Sequence, residues 1–251
     1  MGTLFVVATP IGNLGDISNR ALQTLREVDM IACEDTRQTI KLLNHFGIQK
    51  SMTSYHEFNE EQKAEELANK LAGDTSIALV SDAGMPAIAD PGYRLVRQCR
   101  RRGIRVIAIP GANAGIAALA ISGLPSDEFM FLGFLPSKKN ARRTKLAEIA
   151  NVTCTLVFYE APHRVEAMLE DMQEVLGDRE VCVAREITKI HEESLFGKLS
   201  EIRPRVKAVG EFVIVAGGAT EVHEMAPASR DEVLKKLGMT RNQLYELFFK
   251  K

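Results

Sequence analysis

The stretch IALVSDAGMP, residues 77–86, decides the fold class. Four apolar residues in a row, followed at once by a loop containing Gly and Pro, are typical of a short strand buried on both faces. The same pattern recurs at residues 4–8, before the loop TPIGNLG (9–15), and at residues 104–109, before the loop PGANAG (110–115). Amphipathic helical stretches separate these strands. This alternation predicts an α/β fold in which a parallel or mixed sheet carries helices on both faces.

The alternation of strands and helices continues along the chain, and the loops that interrupt it indicate the domain boundaries. Ser18 is placed to cap the first helix, and Gly123-Leu124-Pro125 separates two runs of strands and helices. We therefore expect an α/β domain at residues 1–118 and an α+β domain at residues 119–220. In residues 221–251, two capping-box patterns predict a short helical hairpin. The other predicted strands are residues 30–33, 129–133, 155–159, 181–185, 194–198 and 212–216, and the other predicted helices are residues 36–46, 60–71, 140–150 and 163–176, with an Arg-rich helix before residue 104.

The composition is that of an ordinary globular protein, and the motifs exclude several common sites. Lys and Arg number 32 against 33 Asp and Glu, so the net charge is −1, and a polyanion would have to bind a local basic surface. The first strand is not followed by GxGxxG, and neither GxxxxGK[ST] nor GxSxG occurs in the chain. The usual dinucleotide, P-loop and α/β-hydrolase sites are therefore excluded.

The cysteines and the apolar runs indicate the compartment. The four cysteines form no C-x-x-C pair, and each lies in or beside an apolar or helical run, which is typical of buried thiols in a reducing compartment. The five histidines are scattered as well, so we expect no metal site. The N-terminal residues lack the basic region of a signal peptide, and no apolar run approaches the roughly 18 residues of a membrane span. We expect a cytoplasmic protein without a membrane partner.

Three Gly-containing loops each follow a predicted strand, at residues 9–15, 81–86 and 110–115. In open α/β sheets, ligands bind in the crevice outside the carboxyl ends of the strands. Glycine allows the backbone to come close to a ligand or to adopt a positive φ. The three loops together therefore predict a ligand site at this edge of the sheet.

The loops TPIGNLGDIS, SDAGMPAIADPG and PGANAG resemble those of the tetrapyrrole-methylase-like superfamily of S-adenosylmethionine methyltransferases. The resemblance covers roughly residues 3–217. Phe58, Met85 and Asn113 depart from the pattern, which has His, Thr and Ser there. Five further motifs narrow the resemblance to the bacterial 16S rRNA (cytidine 2′-O)-methyltransferase family: ACEDTR (32–37), YHEFNE (55–60), GFLP (133–136), YEAPHR (159–164) and REITK (185–189).

The resemblance implies a class III methyltransferase-like fold with S-adenosylmethionine in a cleft between the two α/β domains. It also implies a homodimer that methylates the ribose of a cytidine in the decoding centre of 16S rRNA, in the small ribosomal subunit. Asp82 could accept hydrogen bonds from the cofactor, or it could simply form a turn. The positions that match the superfamily's cofactor contacts are Pro10, Asp82, Met85, Asn113 and Ala114 in the first domain, and Tyr159, Ala184 and Ala216 in the second.

A general base can assist this reaction, because a protonated 2′-hydroxyl is a poor nucleophile. Several residues could act as this general base, and the sequence does not identify which of them does. Residues 34–37 also fit a helix N-terminus with favourable acidic residues. The candidate catalytic residues are Glu34, Asp35 and His56 in the first domain, and Glu160 and His163 in the second.

Basic residues crowd a helix start just after GFLP, and they predict an RNA-contacting surface. Arg is suited to this role because it pairs with phosphate in a bidentate geometry. A second Arg cluster, at residues 94–105, is partly explained by the dipole of its helix. The predicted RNA contacts are Arg37, Lys138, Lys139, Arg142, Arg143 and Arg164.

Two other functions are open at this stage. A methyltransferase of the same superfamily could act on a tetrapyrrole or a protein side chain, and a DNA-binding regulator could use the hairpin at 221–251. The basic residues 138–145 favour RNA over the first alternative, and the mixed charges of the hairpin argue against the second. The sequence does not identify the general base, the target nucleotide or the number of subunits. It also does not say whether free rRNA or the assembled subunit is the substrate.

Overall fold

The computed structural model describes residues 1–220, so the predicted hairpin at 221–251 lies outside the described residues. Residues 1–220 form two five-stranded sheets, which follow one another along the chain. Helices pack on both faces of each sheet. The predicted architecture of two α/β units is therefore confirmed. No helix within residues 1–220 is long and apolar enough to cross a membrane.

The first sheet is entirely parallel. Its strands are β1 (Thr3–Val7), β2 (Met30–Cys33), β3 (Ser51–Ser54), β4 (Ile77–Val80) and β5 (Arg105–Ile109), and its helices are α1 (Asn19–Glu27), α2 (Thr36–His45), α3 (Glu60–Ala72) and α4 (Tyr93–Arg101). The strand order is β3-β2-β4-β1-β5. Helices α3 and α4 pack on one face and α1 and α2 on the other, so every residue of β4 is buried. This order places the carboxyl ends of β4, β1 and β5 side by side.

The second sheet is mixed. Its strands are β6 (Phe129–Phe134), β7 (Thr155–Glu160), β8 (Glu180–Arg185), β9 (Glu193–Lys198) and β10 (Phe212–Ala216), and its helices are α5 (Ala114–Ile121), α6 (Lys139–Glu148), α7 (Pro162–Leu176) and α8 (Leu199–Ile202). The strand order is β6-β7-β10-β8-β9, with β6 parallel to β7 and the other neighbours antiparallel. One face packs on α6, α7 and α8, whereas α5 covers the other.

Every predicted strand is present, with its ends within one residue of the prediction. The Ser18 cap is also confirmed, because its side chain accepts a hydrogen bond from the backbone N–H of Ala21 at 3.1 Å. Three of these strands and helices were not expected, namely β3, α5 and the four-residue helix α8. Strand β3 has only one apolar residue and lies at the edge of its sheet, and α5 begins inside the loop motif PGANAG, where Asn113 caps it.

Helix α5 packs on the second sheet rather than the first. Ala118 and Leu119 are buried against Val157 and Val213. The interior of the second unit therefore begins upstream of residue 118. The domain limits 1–118 and 119–220 stay predictions.

A buried ion pair joins α6 to α7. Asp171 is fully buried, and its Oδ2 accepts a hydrogen bond from Arg142 Nε at 2.7 Å. Arg142 itself is only 4% exposed. The expectation that Arg142 contacts RNA is therefore corrected. Its guanidinium balances a carboxylate in the interior, because Arg142 lies on the same face of α6 as the buried Leu146.

Replacing Arg142 by Ala should lower the free energy of unfolding by about 3–5 kcal/mol, because Asp171 would stay buried without its main partner. The matched variant Lys145→Ala removes an exposed ion pair with Glu148 on the same helix, and it should cost less than about 1 kcal/mol. Urea unfolding followed by circular dichroism measures both losses. Equal, small losses for the two variants would contradict a stabilising role of the buried pair.

Candidate functional site

A cavity of about 380 Å³ lies between the two sheets. Loops at the carboxyl ends of β1, β4 and β5 form one wall, and the ends of β6 and β7 with the segments around β8 and β10 form the other. The volume falls in the range of roughly 300–1,000 Å³ that is usual for small-molecule sites. The lining residues are Ile11, Ala83, Gly84, Met85, Ile88, Ala89, Asp90, Asn113, Ala114, Phe134, Tyr159, Glu160, Ala161, Pro162, Glu186, Ile187, Lys189, Glu211, Phe212 and Val213.

Hydrogen bonds between loops fix the wall formed by the first sheet. Thr9 and Gly84 exchange backbone hydrogen bonds at 2.9 and 3.1 Å, which joins the loops after β1 and β4. Gly84 has a φ of +83°, which an L-residue rarely adopts. The three strand-end loops predicted to form a ligand site therefore do line one cavity.

The two walls are linked beside α5. The Tyr159 hydroxyl accepts a hydrogen bond from the backbone N–H of Gly115 at 3.1 Å. Phe131 and Phe134 pack edge-on against the Tyr159 ring, with centroid distances of 5.0 and 5.7 Å. Burial raises the pKa of Tyr159, and the nearby charge of Asp90 acts in the same direction. The phenol is therefore a neutral, fixed part of the cavity wall at neutral pH.

Four of the eight predicted cofactor contacts line this cavity, namely Met85, Asn113, Ala114 and Tyr159. Their roles as contacts stay predictions. The other four lie outside the lining. Ala184 and Ala216 are buried strand residues of β8 and β10, Pro10 precedes the lining residue Ile11, and the Asp82 carboxylate accepts a hydrogen bond from the backbone N–H of Asp35 at 3.1 Å.

Among the predicted general bases, Glu160 lines the cavity and the other four do not. Asp35 caps α2 and binds the Arg37 guanidinium, whose hydrogen bonds lower the pKa of Asp35 to about 2. His56 contacts Asn59 through Nε2, and its Nδ1 is buried without a partner among residues 1–220. His163 is exposed in the first turn of α7.

Glu34 follows β2 and has carboxylate neighbours. Burial is the main cause that raises the pKa of Glu34, and the charges of Asp90 and Asp82 raise it further. Burial likewise raises the pKa of Asp82 and of Asp90. These three side chains therefore form a set of acidic groups whose ionisation is mutually disfavoured.

The sequence reasoning missed four charged residues that line the cavity: Asp90, Glu186, Lys189 and Glu211. Glu186 and Lys189 belong to REITK, one of the motifs on which the family resemblance rests. Asp90 belongs to the motif SDAGMPAIADPG. The backbone geometry also marks this site, because the lining residues Ala89 and Glu186 have positive φ angles of +62° and +52°. Non-glycine residues in this region often lie at functional sites.

Lys189 forms ion pairs with two of the carboxylates that line the cavity. Its Nζ lies 2.9 Å from Glu186 Oε1 and 2.8 Å from Glu211 Oε2. Burial alone would lower the pKa of Lys189, but the carboxylates of Glu211 and Glu186 raise it overall. The aliphatic part of Lys189 lies against Gly12, where a Cβ would come within 2.4 Å of the lysine Cγ. Gly12 therefore allows a side chain of the second unit to reach the first loop.

Most of the predicted RNA contacts are on the surface. Lys138, Lys139 and Arg37 are exposed, and Arg143 is partly exposed. Arg164 is more enclosed, because its Nε lies 3.1 Å from Glu160 Oε1 and its guanidinium also bonds the carbonyl of Leu135. The side chain of Arg164 therefore ties the GFLP segment to the start of α7. The described part of the chain contains no group of three His, Cys, Asp or Glu side chains placed to hold a metal.

Comparison with known proteins agrees with this geometry. The family model of Tetrapyrrole (Corrin/Porphyrin) Methylases matches residues 3–203. Ribosomal RNA small subunit methyltransferase I of Vibrio cholerae is 50% identical over 247 residues, which are 96% of this chain and 85% of that protein. The protein of the same name from Halalkalibacterium halodurans is 52% identical over 223 residues, 88% of this chain and 77% of that protein. That from Thermotoga maritima is 48% identical over 221 residues, 87% and 99% of the two chains.

Solved structures show the same fold at low identity. Diphthine synthase superposes with a TM-score of 0.66 at 15% identity, covering 89% of this chain and 92% of that one. The methyltransferase CobJ gives 0.65 at 18% identity, covering 87% and 95%. A uroporphyrin-III C-methyl transferase from Thermus thermophilus, complexed with S-adenyl homocysteine, gives 0.58 at 17% identity, covering 86% and 97%. On the family match and the close relatives, the chain belongs to the tetrapyrrole (corrin/porphyrin) methylase family, in the group of the small-subunit ribosomal RNA methyltransferases I.

Proposed function

We propose that the protein transfers a methyl group to the 2′-oxygen of a cytidine ribose in the decoding centre of 16S rRNA, on the small ribosomal subunit. At the coarser level the protein is an S-adenosylmethionine-dependent rRNA small-subunit methyltransferase. The observation that carries this conclusion is the 50% identity to such a methyltransferase along 96% of the chain. The cytidine ribose is the finer part of the proposal, and the motifs ACEDTR, YEAPHR and REITK support it.

The cofactor is S-adenosylmethionine, and the cavity fits it in size and in charge. Small residues such as Gly84, Ala83 and Ala114 leave the space open, while Ile11, Met85 and other apolar side chains offer a surface for an aromatic ring. Among residues 1–220, the lining contains the four carboxylates of Asp90, Glu160, Glu186 and Glu211 and one cation, that of Lys189. Its charge is therefore negative, which favours a ligand with a sulfonium over the neutral thioether that remains after transfer.

The bound cofactor supplies a methyl carbon attached to a positively charged sulfur. The protein's own task is to hold a hydroxyl group in line with that carbon and to exclude water. The fixed Tyr159 ring, the apolar side chains and the linked loops around Gly84 suit this task, because they form a rigid and partly apolar wall. In this account, positioning is the main contribution of the fold to the rate.

The proposed RNA-contacting surface begins at the rim of the cavity. Phe134 lines the cavity, and Lys138 and Lys139 follow it at the start of α6. Arg143 lies one turn further on and is partly exposed. Because the cavity is negative and this surface is positive, the phosphate backbone would bind beside the cavity rather than in it.

We also propose a homodimer in the cytoplasm, where ribosomal subunits are found. An apolar surface on the α5 side of the second sheet supports the dimer. It comprises Ile116 and Ile121 of α5, Phe129 and Phe131 of β6 and Phe196 of β9, which are between 36% and 53% exposed. Apolar patches of this kind commonly mark contacts between proteins. Light scattering that gives the mass of a single chain would contradict the dimer.

The site of methylation tests the proposed function directly. After incubation with small subunits and labelled S-adenosylmethionine, the label should lie in one cytidine of the decoding centre. The bond on the 3′ side of that cytidine should resist alkaline hydrolysis, because the 2′-oxygen can no longer attack it. Label on a base, with the bond still cleavable, would contradict ribose methylation.

Replacing Lys138, Lys139 and Arg143 together by Ala should weaken binding to small subunits and flatten its dependence on salt. Each lost phosphate contact should lower the salt slope by about one. A matched triple variant, Arg97→Ala, Arg100→Ala and Arg101→Ala, removes three exposed charges from α4 and should bind like the wild type. Filter binding over a salt series measures both. If the two triple variants lose equal affinity, the start of α6 is not a specific contact.

A further inference from the structure

We propose that Asp90 is the general base that accepts the proton of the attacking ribose hydroxyl. The inference rests on the proposed function, because it takes the 2′-hydroxyl as the nucleophile. A general base must reach the reacting hydroxyl, so only groups that line the cavity qualify. Within residues 1–220 these are the carboxylates of Asp90, Glu160, Glu186 and Glu211, and no histidine lines the cavity.

Three of the four carboxylates are engaged with cations. Glu186 and Glu211 share the ammonium group of Lys189. Glu160 lies 3.1 Å from Arg164 Nε, accepts a hydrogen bond from the backbone N–H of Ala161 at 2.8 Å, and has a fully buried side chain. Each of these three carboxylates is thus held by an ion pair within the structure, whereas the proposed base must be free to bind a substrate hydroxyl. These three residues are therefore better suited to structure than to proton transfer.

Asp90 has different surroundings. Within residues 1–220 it forms no ion pair, and the nearby Ser81 hydroxyl, which lowers the pKa of Asp90 less than burial raises it, is neutral. Lys189, the cation that lines the same cavity among residues 1–220, is paired with Glu186 and Glu211. The titratable groups that interact electrostatically with Asp90 are Asp82 after β4, Glu34 after β2 and Tyr159 of β7. All of these groups are acids. Burial and the charge of Asp82 raise the pKa of Asp90 above the ordinary value of an aspartate, which brings its basicity closer to that needed near neutral pH.

The loop around Asp90 holds the carboxylate in place. Asp90 lies between Ala89, with a φ of +62°, and Pro91, whose ring restricts its own φ. The carbonyl of Pro91 accepts a hydrogen bond from the backbone N–H of Ala87, which closes the loop on itself. A base held in this way needs little rearrangement before it accepts a proton.

Proton transfer to Asp90 accompanies methyl transfer to the ribose oxygen. The proton of the ribose hydroxyl moves to an Asp90 carboxylate oxygen, and the ribose oxygen forms a bond to the methyl carbon. The bonding pair of the broken carbon–sulfur bond stays on sulfur, which becomes neutral. Asp90 returns its proton to solvent after the product leaves. The step therefore needs no further co-reactant.

The substitution Asp90→Asn keeps the size of the side chain and removes its basicity. We expect kcat on small subunits to fall by about 100-fold or more, while calorimetry gives the wild-type Kd for S-adenosylmethionine. Asp90→Glu should restore part of kcat. The matched control Asp74→Asn changes an exposed carboxylate that pairs with the N-terminus just before β4, at the opposite edge of the sheet, and should leave kcat unchanged.

Two pH measurements separate proton transfer from a structural role. Wild-type kcat should rise with pH to a plateau as Asp90 ionises, and this limb should be absent in Asp90→Asn. Carbon-13 spectra of the protein alone, assigned by the signal missing from Asp90→Asn, should show the Asp90 carboxyl titrating above the ordinary range of an aspartate.

Wild-type kcat in Asp90→Asn, or a loss confined to the affinity for S-adenosylmethionine, would overturn the assignment. So would loss of the acid limb in Glu34→Gln but not in Asp90→Asn, since the base would then be Glu34. If the wild-type enzyme methylates a nucleobase rather than a ribose, the proposed function itself is contradicted, whatever the role of Asp90. Mapping the product of the wild-type enzyme before any variant is compared distinguishes this failure from a failure of the Asp90 assignment.

Discussion

Parallel pairing of β4, β1 and β5 is the constraint on which the site depends. It brings three loops to one edge of the first sheet, although they are separated by dozens of residues in sequence. The Thr9–Gly84 hydrogen bonds then hold two of these loops together. The second sheet completes the cavity through Tyr159 and the segment from Glu186 to Lys189. The cavity is therefore lined by loops at strand ends together with strand residues such as Tyr159 and Phe212, while the sheets provide a rigid base.

The charges are distributed in a way that suits two different ligands. Inside the cavity, carboxylates outnumber the cation of Lys189. Outside it, the first turns of α6 carry exposed lysines, and Arg142 from the same helix is used to balance the buried Asp171. The proposed sites of the cationic cofactor and of the polyanionic RNA are thus adjacent regions of opposite sign, and the overall charge of −1 does not reveal this separation.

Much of the fold was predictable from the sequence, because buried parallel strands appear as short apolar runs before Gly- and Pro-containing loops. Strand β3 was not predicted, because an edge strand needs few apolar residues. The site was predictable only in part. Sequence shows that loops lie at strand ends, but not which side chains face inward, so Asp90 and Lys189 were missed and Arg142 was assigned to the surface. Burial and ion pairing depend on the tertiary structure, and they determine that Asp90 and Lys189 line the cavity and that Arg142 is buried against Asp171.

Obstructing the cavity between the two sheets tests whether it holds S-adenosylmethionine. Ala114 lines the cavity, whereas Ala147 is exposed on α6 and provides a control. Calorimetry of S-adenosylmethionine binding to Ala114→Leu should show an affinity at least about tenfold weaker than wild type, since overpacking a site costs about 1–3 kcal/mol. Ala147→Leu should bind like the wild type. Unchanged affinity in a folded Ala114→Leu protein would contradict the placement of the cofactor in this cavity.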